Sequence, residues 1–227
     1  MKYIYTFLIV TSAILGCNNG IAHPVADEVD LTVPSFSRVV ILGNSITQAG
    51  PDNSIGWNND WGMAASKPEL DYVHLLTAKL RSIIKDCKVM VRNIGAFEVN
   101  YTSYDYSEDY KDLKDSQPDL IIIQIGENVK QDNPLLSQFS YNYDKLIGYF
   151  KHSNPNVKIL AVGSFWGNPV VDKAMENNSK FISLRPLLND TSNQAFGKYE
   201  NYGIQIHPSD KGMMEISNVI WDALKGL

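Results

Sequence analysis

Four short segments of the chain carry groups suited to acyl transfer. Gly43-Asn44-Ser45 offers a hydroxyl, Asn93-Ile94-Gly95 a backbone N–H, Gly126-Glu127-Asn128 a side-chain amide, and His207-Pro208 an imidazole. A serine hydroxyl is a weak nucleophile until a neighbouring base takes its proton. Histidine, which titrates near neutrality, suits that task. Attack on an ester carbonyl creates an oxyanion, which needs donors already aimed at it, each typically worth about 10²–10³ in rate. The N–H of Ser45, the N–H of Gly95 and the amide of Asn128 would supply three. Each residue also has a plainer use: Ser45 as a helix N-cap, Asn128 as a turn residue, Gly95 as the hinge of a tight turn. The combination argues for chemistry where no single segment does.

The elements between these segments predict how they meet. Val39-Val40-Ile41-Leu42, Val89-Met90-Val91, Leu120-Ile121-Ile122-Ile123 and Ile159-Leu160-Ala161-Val162 are continuous apolar runs, as expected of strands buried on both faces. Phe181-Ile182-Ser183-Leu184 is a weaker fifth. Helical spacing marks Tyr72 to Ile84, Tyr143 to Phe150, Val170 to Met175 and the stretch from Pro208, where proline fits a first turn. Strands alternating with helices predict a parallel sheet covered on both faces. The expected fold is a three-layer α/β/α sandwich with a five-stranded parallel sheet. Sites in such sheets form beyond the carboxyl ends of the strands. Ser45, Gly95 and Asn128 each follow a predicted strand, and His207 precedes the last helix within reach of the same edge.

In this order and these slots, Ser45, Gly95, Asn128 and His207 resemble the four blocks of the SGNH (GDSL-like) hydrolases, over residues 38–227. The resemblance implies a flavodoxin-like sheet, an esterase, lipase or carbohydrate deacetylase activity, and no metal or other cofactor. It implies Ser45 as nucleophile, His207 as general base, and Ser45, Gly95 and Asn128 as the oxyanion hole. The chain departs from the family in three places. Asn44 stands where Asp is usual, Val129 follows Asn128 where Asp is usual, and Ile204 stands three residues before the histidine where the Asp that orients the imidazole is expected. Disabling that Asp in serine proteases costs about 10⁴ in rate. Substitutes are a backbone carbonyl in Tyr202-Gly203-Ile204-Gln205, the amide oxygen of Gln205, or a carboxylate from Asp190, Glu200 or Asp210. Asp210 also suits a first-turn role favouring the helix dipole.

Around the blocks, Trp57, Trp61 and Trp166 lie on loops after strands, as do Tyr101, Tyr104 and Tyr106. The tryptophans suit stacking on sugar rings, or packing the loops onto the sheet. Glu127 is placed to contact a substrate hydroxyl or to orient another site group. His74 and His152 fall in or beside helical patterns and read as structural, and no His/Cys/Asp/Glu group has metal-ligand spacing. The reading is a serine esterase, using a Ser–His dyad or an atypical triad, that removes small acyl groups, acetyl above all, from carbohydrate. A lipase or lysophospholipase is the alternative within esterases. A catalytically impaired glycan-binding domain is the alternative outside them.

The 227 residues suit one α/β domain, and a net charge of −5 argues against a nucleic-acid partner. Lys2 and the apolar stretch Ile4 to Leu15 read as an export signal over residues 1–16. At roughly 12–14 residues that stretch is too short to span a bilayer. Ile14-Leu15-Gly16-Cys17 resembles the bacterial lipobox, which implies lipidation of Cys17 and a cell-envelope location, periplasmic or surface. Residues 17–37 read as the lipidated Cys and a tether. Cys87, the other cysteine, reads as structural; a Cys17–Cys87 disulfide is the competing possibility.

Overall fold

The computed structural model describes residues 32–227. The expected signal segment, Cys17 and most of the expected tether lie outside the described residues.

Five strands form one sheet: β1 (Arg38–Gly43), β2 (Lys88–Asn93), β3 (Leu120–Gln124), β4 (Lys158–Val162) and β5 (Lys180–Ile182). All neighbours run parallel, in the order β2-β1-β3-β4-β5. Parallel strands require crossovers, and each of the four here contains a helix, two further helices following β5. In chain order these are α1 (Tyr72–Ile83), α2 (Gly95–Asn100), α3 (Lys111–Asp115), α4 (Phe139–Lys151), α5 (Pro169–Asn178), α6 (Tyr202–Gln205) and α7 (Asp210–Leu224).

Alternation along the strands divides the core in two. Val40, Leu42, Ile121, Ile123 and Ala161 face a cluster built with Phe97, Leu113, Phe139, Leu146 and Met175. Val39, Ile41, Leu120, Ile122, Leu160 and Val162 face Leu76, Leu80, Met213, Ile216 and Ile220. Helices α1 and α7 therefore cover one face and α2 to α5 the other. This is the three-layer α/β/α sandwich with a parallel five-stranded sheet.

Boundaries differ from the sequence expectations in three informative places. Val33 and Phe36 are buried in the α1/α7 face, so the packed unit begins before residue 38 and the expected tether is shorter. Leu184 is buried but outside β5, because the chain turns into a 3₁₀ segment (Arg185–Asn189) carrying a proline in its first turn. Pro208 is not in the last helix: Ser209 caps it, its side chain accepting from the Gly212 N–H.

Register places the chemistry. Gly43 pairs with Asn93 on one side and Gln124 on the other. The segments after β1, β2 and β3 thus emerge side by side at one sheet edge.

Candidate active site

The turn after β1 is held tightly. The Asn44 carbonyl accepts from the Thr47 and Gln48 N–H groups, the Asn44 Oδ1 accepts from the Ile46 N–H at 3.1 Å, and the Ser45 carbonyl accepts from the Met63 N–H. Gly43 makes the turn possible: a Cβ there would lie 1.8 Å from Thr47 Oγ1 and 2.9 Å from the Gln124 carbonyl oxygen. Ser45 is left half-buried at the tip.

His207 comes to it from 162 residues away, with Nε2 2.9 Å from Ser45 Oγ. Its Nδ1 lies 2.7 Å from the Gly203 carbonyl oxygen. A carbonyl only accepts, so Nδ1 carries the proton and the Nε2 lone pair is free to take the Ser45 proton. The acceptor is available for a local reason. Helix α6 is a single turn, and the His207 N–H bonds to the Ile204 carbonyl three residues back instead of to Gly203. That leaves the Gly203 carbonyl for the ring.

Ile204, standing where a carboxylate is expected, is 1% exposed and packs with Trp57, Ala49 and Met63. The carboxylate and amide candidates are engaged elsewhere. Asp210 accepts from the N–H and hydroxyl of Ser66, Asp190 pairs with Lys211, and the Gln205 amide oxygen takes the Gly197 N–H. Glu200 is exposed and is not the Nδ1 partner. A backbone carbonyl, not a carboxylate, holds the His207 ring.

Trp166 stands perpendicular to the His207 ring, centroids 5.1 Å apart, and its Nε1–H reaches the Ile206 carbonyl at 3.2 Å. This half-buried tryptophan therefore walls the base instead of offering a free face. Burial pushes the His207 pKa down to about 4, with the Gly203 hydrogen bond opposing the shift. At neutral pH the imidazole is uncharged and ready to accept a proton.

The expected oxyanion donors are unequally disposed. Asn128 Nδ2 lies beside Gly95, within 3.5 Å of where a Cβ on that glycine would stand. The Gly95 N–H, expected to be a donor, bonds to Asn93 Oδ1 at 2.8 Å, and Asn93 is itself fixed by donating to the Gln48 carbonyl at 2.6 Å. The Gly95 N–H is thus already taken, whereas the Asn128 amide has a second hydrogen to offer.

Behind the turn lie two carboxyl groups. Glu98, on α2 and fully buried, accepts from the Gly126 N–H at 2.6 Å, the Asn128 N–H at 3.3 Å and Asn128 Nδ2 at 2.7 Å. Glu127 accepts from Asn44 Nδ2 at 2.6 Å, Gln124 Nε2 at 3.0 Å and the Phe165 N–H at 2.6 Å. It points into the protein, away from a substrate hydroxyl. Asn44 Nδ2 also stands 3.4 Å from Glu98 Oε1, between the two acids. Burial first, and the charge of Glu127 second, push Glu98 up to about 7; burial raises Glu127 too. An aspartate in place of Asn44 would set a third carboxylate against this pair, so the loss of charge there matches the acids behind it. Val129 is buried in the core, and its carbonyl accepts from Asn168 Nδ2.

Sequence reasoning missed Glu98, although an acid between the apolar Phe97 and Val99 was a visible signal. Of the two readings open for Trp57 and Trp61, the structure shows loop packing. Trp57 is 1% exposed with Nε1–H on the Ala49 carbonyl, and Trp61 packs edge-on against it with Nε1–H on the Ala65 carbonyl. Both hold the loop together. Tyr101, Tyr104 and Tyr106 pack against the α2–α5 face. The aromatics that are exposed near the base are Phe196 and Tyr202, with ring centroids 6.5 Å apart. The His74 backbone N–H and ring Nδ1 both donate to the Asp71 carboxylate that caps α1, and the His152 N–H bonds back at the end of α4.

No protein-family model and no curated protein sequence matches the chain. Solved structures do. A GDSL-like lipase from Parabacteroides merdae superposes with a TM-score of 0.56 at 20% identity, covering 83% of this chain and 95% of that one. The fold is that of the SGNH hydrolases. The psychrotrophic esterase EstA from Pseudoalteromonas, solved inhibited by monoethylphosphonate, gives a TM-score of 0.54 at 13% identity over 84% and 97%. A Clostridium thermocellum family 3 carbohydrate esterase gives 0.50 at 16% over 83% and 97%. On this SGNH-type scaffold the serine, the amide and the imidazole lie at the carboxyl edge of the sheet.

Proposed function

We propose that the chain is a serine ester hydrolase that works through a Ser45–His207 dyad. The observation that carries this is the 2.9 Å contact between Ser45 Oγ and His207 Nε2, with Nδ1 committed to a carbonyl acceptor. In acylation Ser45 Oγ attacks the ester carbonyl carbon while His207 Nε2 takes its proton. The carbonyl π electrons move to oxygen, where the Ser45 N–H and Asn128 Nδ2 meet the charge. The carbonyl reforms, the alcohol leaves with the proton from Nε2, and water repeats the sequence to release the acid and regenerate Ser45. Ser45→Ala should abolish release of nitrophenol from nitrophenyl acetate and labelling by a fluorophosphonate; retained turnover would sink the reading.

The substrate we infer is a small acyl ester on carbohydrate. The support is the exposed Phe196–Tyr202 pair, whose Tyr202 directly precedes the Gly203 that holds the base, together with the fold shared with a carbohydrate esterase. A series of nitrophenyl esters from acetate to palmitate tests it, since a lipase or lysophospholipase would prefer the long chains.

We also propose export and lipid attachment at Cys17, supported by Lys2, the apolar stretch and Leu15-Gly16-Cys17. No helix among the described residues is long and apolar enough to cross a membrane. Cys17→Ala should abolish incorporation of labelled palmitate and release the protein from the membrane fraction; unchanged labelling would refute it.

A further inference from the structure

Glu98 touches neither Ser45 nor His207, yet it is the hub of the polar network behind them. Its Oε1 takes the Gly126 N–H at 2.6 Å and the Asn128 N–H at 3.3 Å, and its Oε2 takes Asn128 Nδ2 at 2.7 Å. One carboxyl thus grips both the backbone and the side chain of the residue that faces the oxyanion. Gly126 makes the grip possible: its φ of +129° is a conformation that residues with a Cβ rarely adopt, and a Cβ there would meet Ser164 Cβ at 2.9 Å.

We propose that Glu98 is a positioning residue of the oxyanion hole. This rests on the esterase reading and deepens it. A terminal amide can present oxygen or nitrogen with equal ease. Against a carboxylate oxygen only the nitrogen is tolerated, so in its ionised form Glu98 Oε2 locks Asn128 with Nδ2 inward. That nitrogen carries two hydrogens. Glu98 takes one, and the other diverges by about 120° from it, as sp² geometry requires. The second hydrogen is the donor for the oxyanion. Without Glu98 the amide is free to rotate, and half of its orientations present Oδ1, an acceptor that repels the oxyanion. Among the described residues, the other titratable group facing Glu98 is Glu127, across the Asn44 amide. Asn44 Nδ2 donates toward both acids, so the residue before the nucleophile, the grip on Asn128 and the loop after β4 belong to one network.

The test is a double-mutant cycle on the full chain with nitrophenyl acetate. Asn128→Ala and Glu98→Ala should each lower kcat by about 10²-fold, with KM changed less than about three-fold. The double variant should fall no more than about three-fold below Asn128→Ala alone, because Glu98 acts only through that amide. Glu98→Gln, nearly isosteric, puts an NH₂ where an acceptor is needed. It turns the Asn128 amide around and should lose as much kcat as the alanine variant. Losses that multiply in the double variant, or a kcat within about three-fold of wild type in Glu98→Gln, would overturn the proposal. If Glu98→Ala does not fold, the Glu98→Gln result decides alone. Failure of the esterase reading looks different: Ser45→Ala would then keep its turnover, whereas failure of this proposal leaves Ser45→Ala inactive and Glu98→Gln active.

Discussion

The Nδ1 of His207 donates to the carbonyl of Gly203, 2.7 Å away and four residues back in the same chain segment. The base is therefore oriented by a dipole and not by a charge. A carbonyl fixes tautomer and ring angle as a carboxylate does, but it stabilises the imidazolium far less. With burial acting against the charged form, His207 sits at about 4.

The acid limb of the reaction follows from that value. Only neutral His207 accepts the Ser45 proton, so kcat/KM should hold as pH falls below 6 and reach half its plateau near pH 4. A pH–rate profile from 3 to 7 measures this, and a half-point above about 6 would contradict it.

Trp166 stands edge-to-face against the His207 ring, 5.1 Å between centroids. Trp166→Ala should let water reach His207, weaken the desolvation that lowers its pKa, and move the acid limb upward toward the ordinary value of 6.5. Trp166→Phe, which keeps a ring beside the imidazole, should move it less. An unshifted limb in the alanine variant would show that Trp166 does not shield the base.

Stability should respond to pH in two opposite ways. His207 is depressed, so between about 4 and 6.5 the unfolded chain binds more protons and the folded state gains stability as pH rises. Glu98 is raised from 4.5 to about 7, so its contribution is complete below 4.5 and is lost as pH climbs through 7. Replacing Glu98 with Gln removes only the second effect. The difference in Tm, variant minus wild type, should accordingly be more positive at pH 8 than at pH 4. Calorimetry at the two pH values checks the sign.

Gly43→Ala tests the turn under the nucleophile. Its Cβ would overlap Thr47 Oγ1 and crowd the Gln124 carbonyl. The cost should be about 3 kcal/mol or more, at the severe end for one substitution. Thermal unfolding would show it as a large drop in Tm, and a drop of only a degree or two would mean that the turn can relax.

The layers of the fold were legible because they rest on local patterns. Continuous apolar runs can only be strands buried on both faces here, and Leu120 to Ile123 is such a run. The meeting of Ser45 with His207 was legible because Ser45 follows such a strand and His207 precedes the last helix. What escaped depends on long-range packing. Nothing local says that the Gly203 carbonyl is spare; that needs the single turn of α6 and the His207 N–H diverted to Ile204. The Gly95 N–H looked free until the Asn93 side chain folded back onto it. Trp57 looked like a loop aromatic, yet it fills a small core with Ile204 that no periodicity announces. Glu98 was hidden by belonging to a six-residue helix too short for a periodic signal.

Val33 and Phe36 are packed at the start of β1, and Ser45 follows its end. Six residues of strand, at about 3.3 Å each, separate those points by about 20 Å. The polypeptide thus enters through the floor of the domain while the mouth opens at the ceiling. Were Cys17 fastened to a bilayer, the roughly 16-residue leash to Val33 would reach at most about 55 Å fully drawn out. Held that way, the domain would face outward within that radius, with its back to the lipid that carries it.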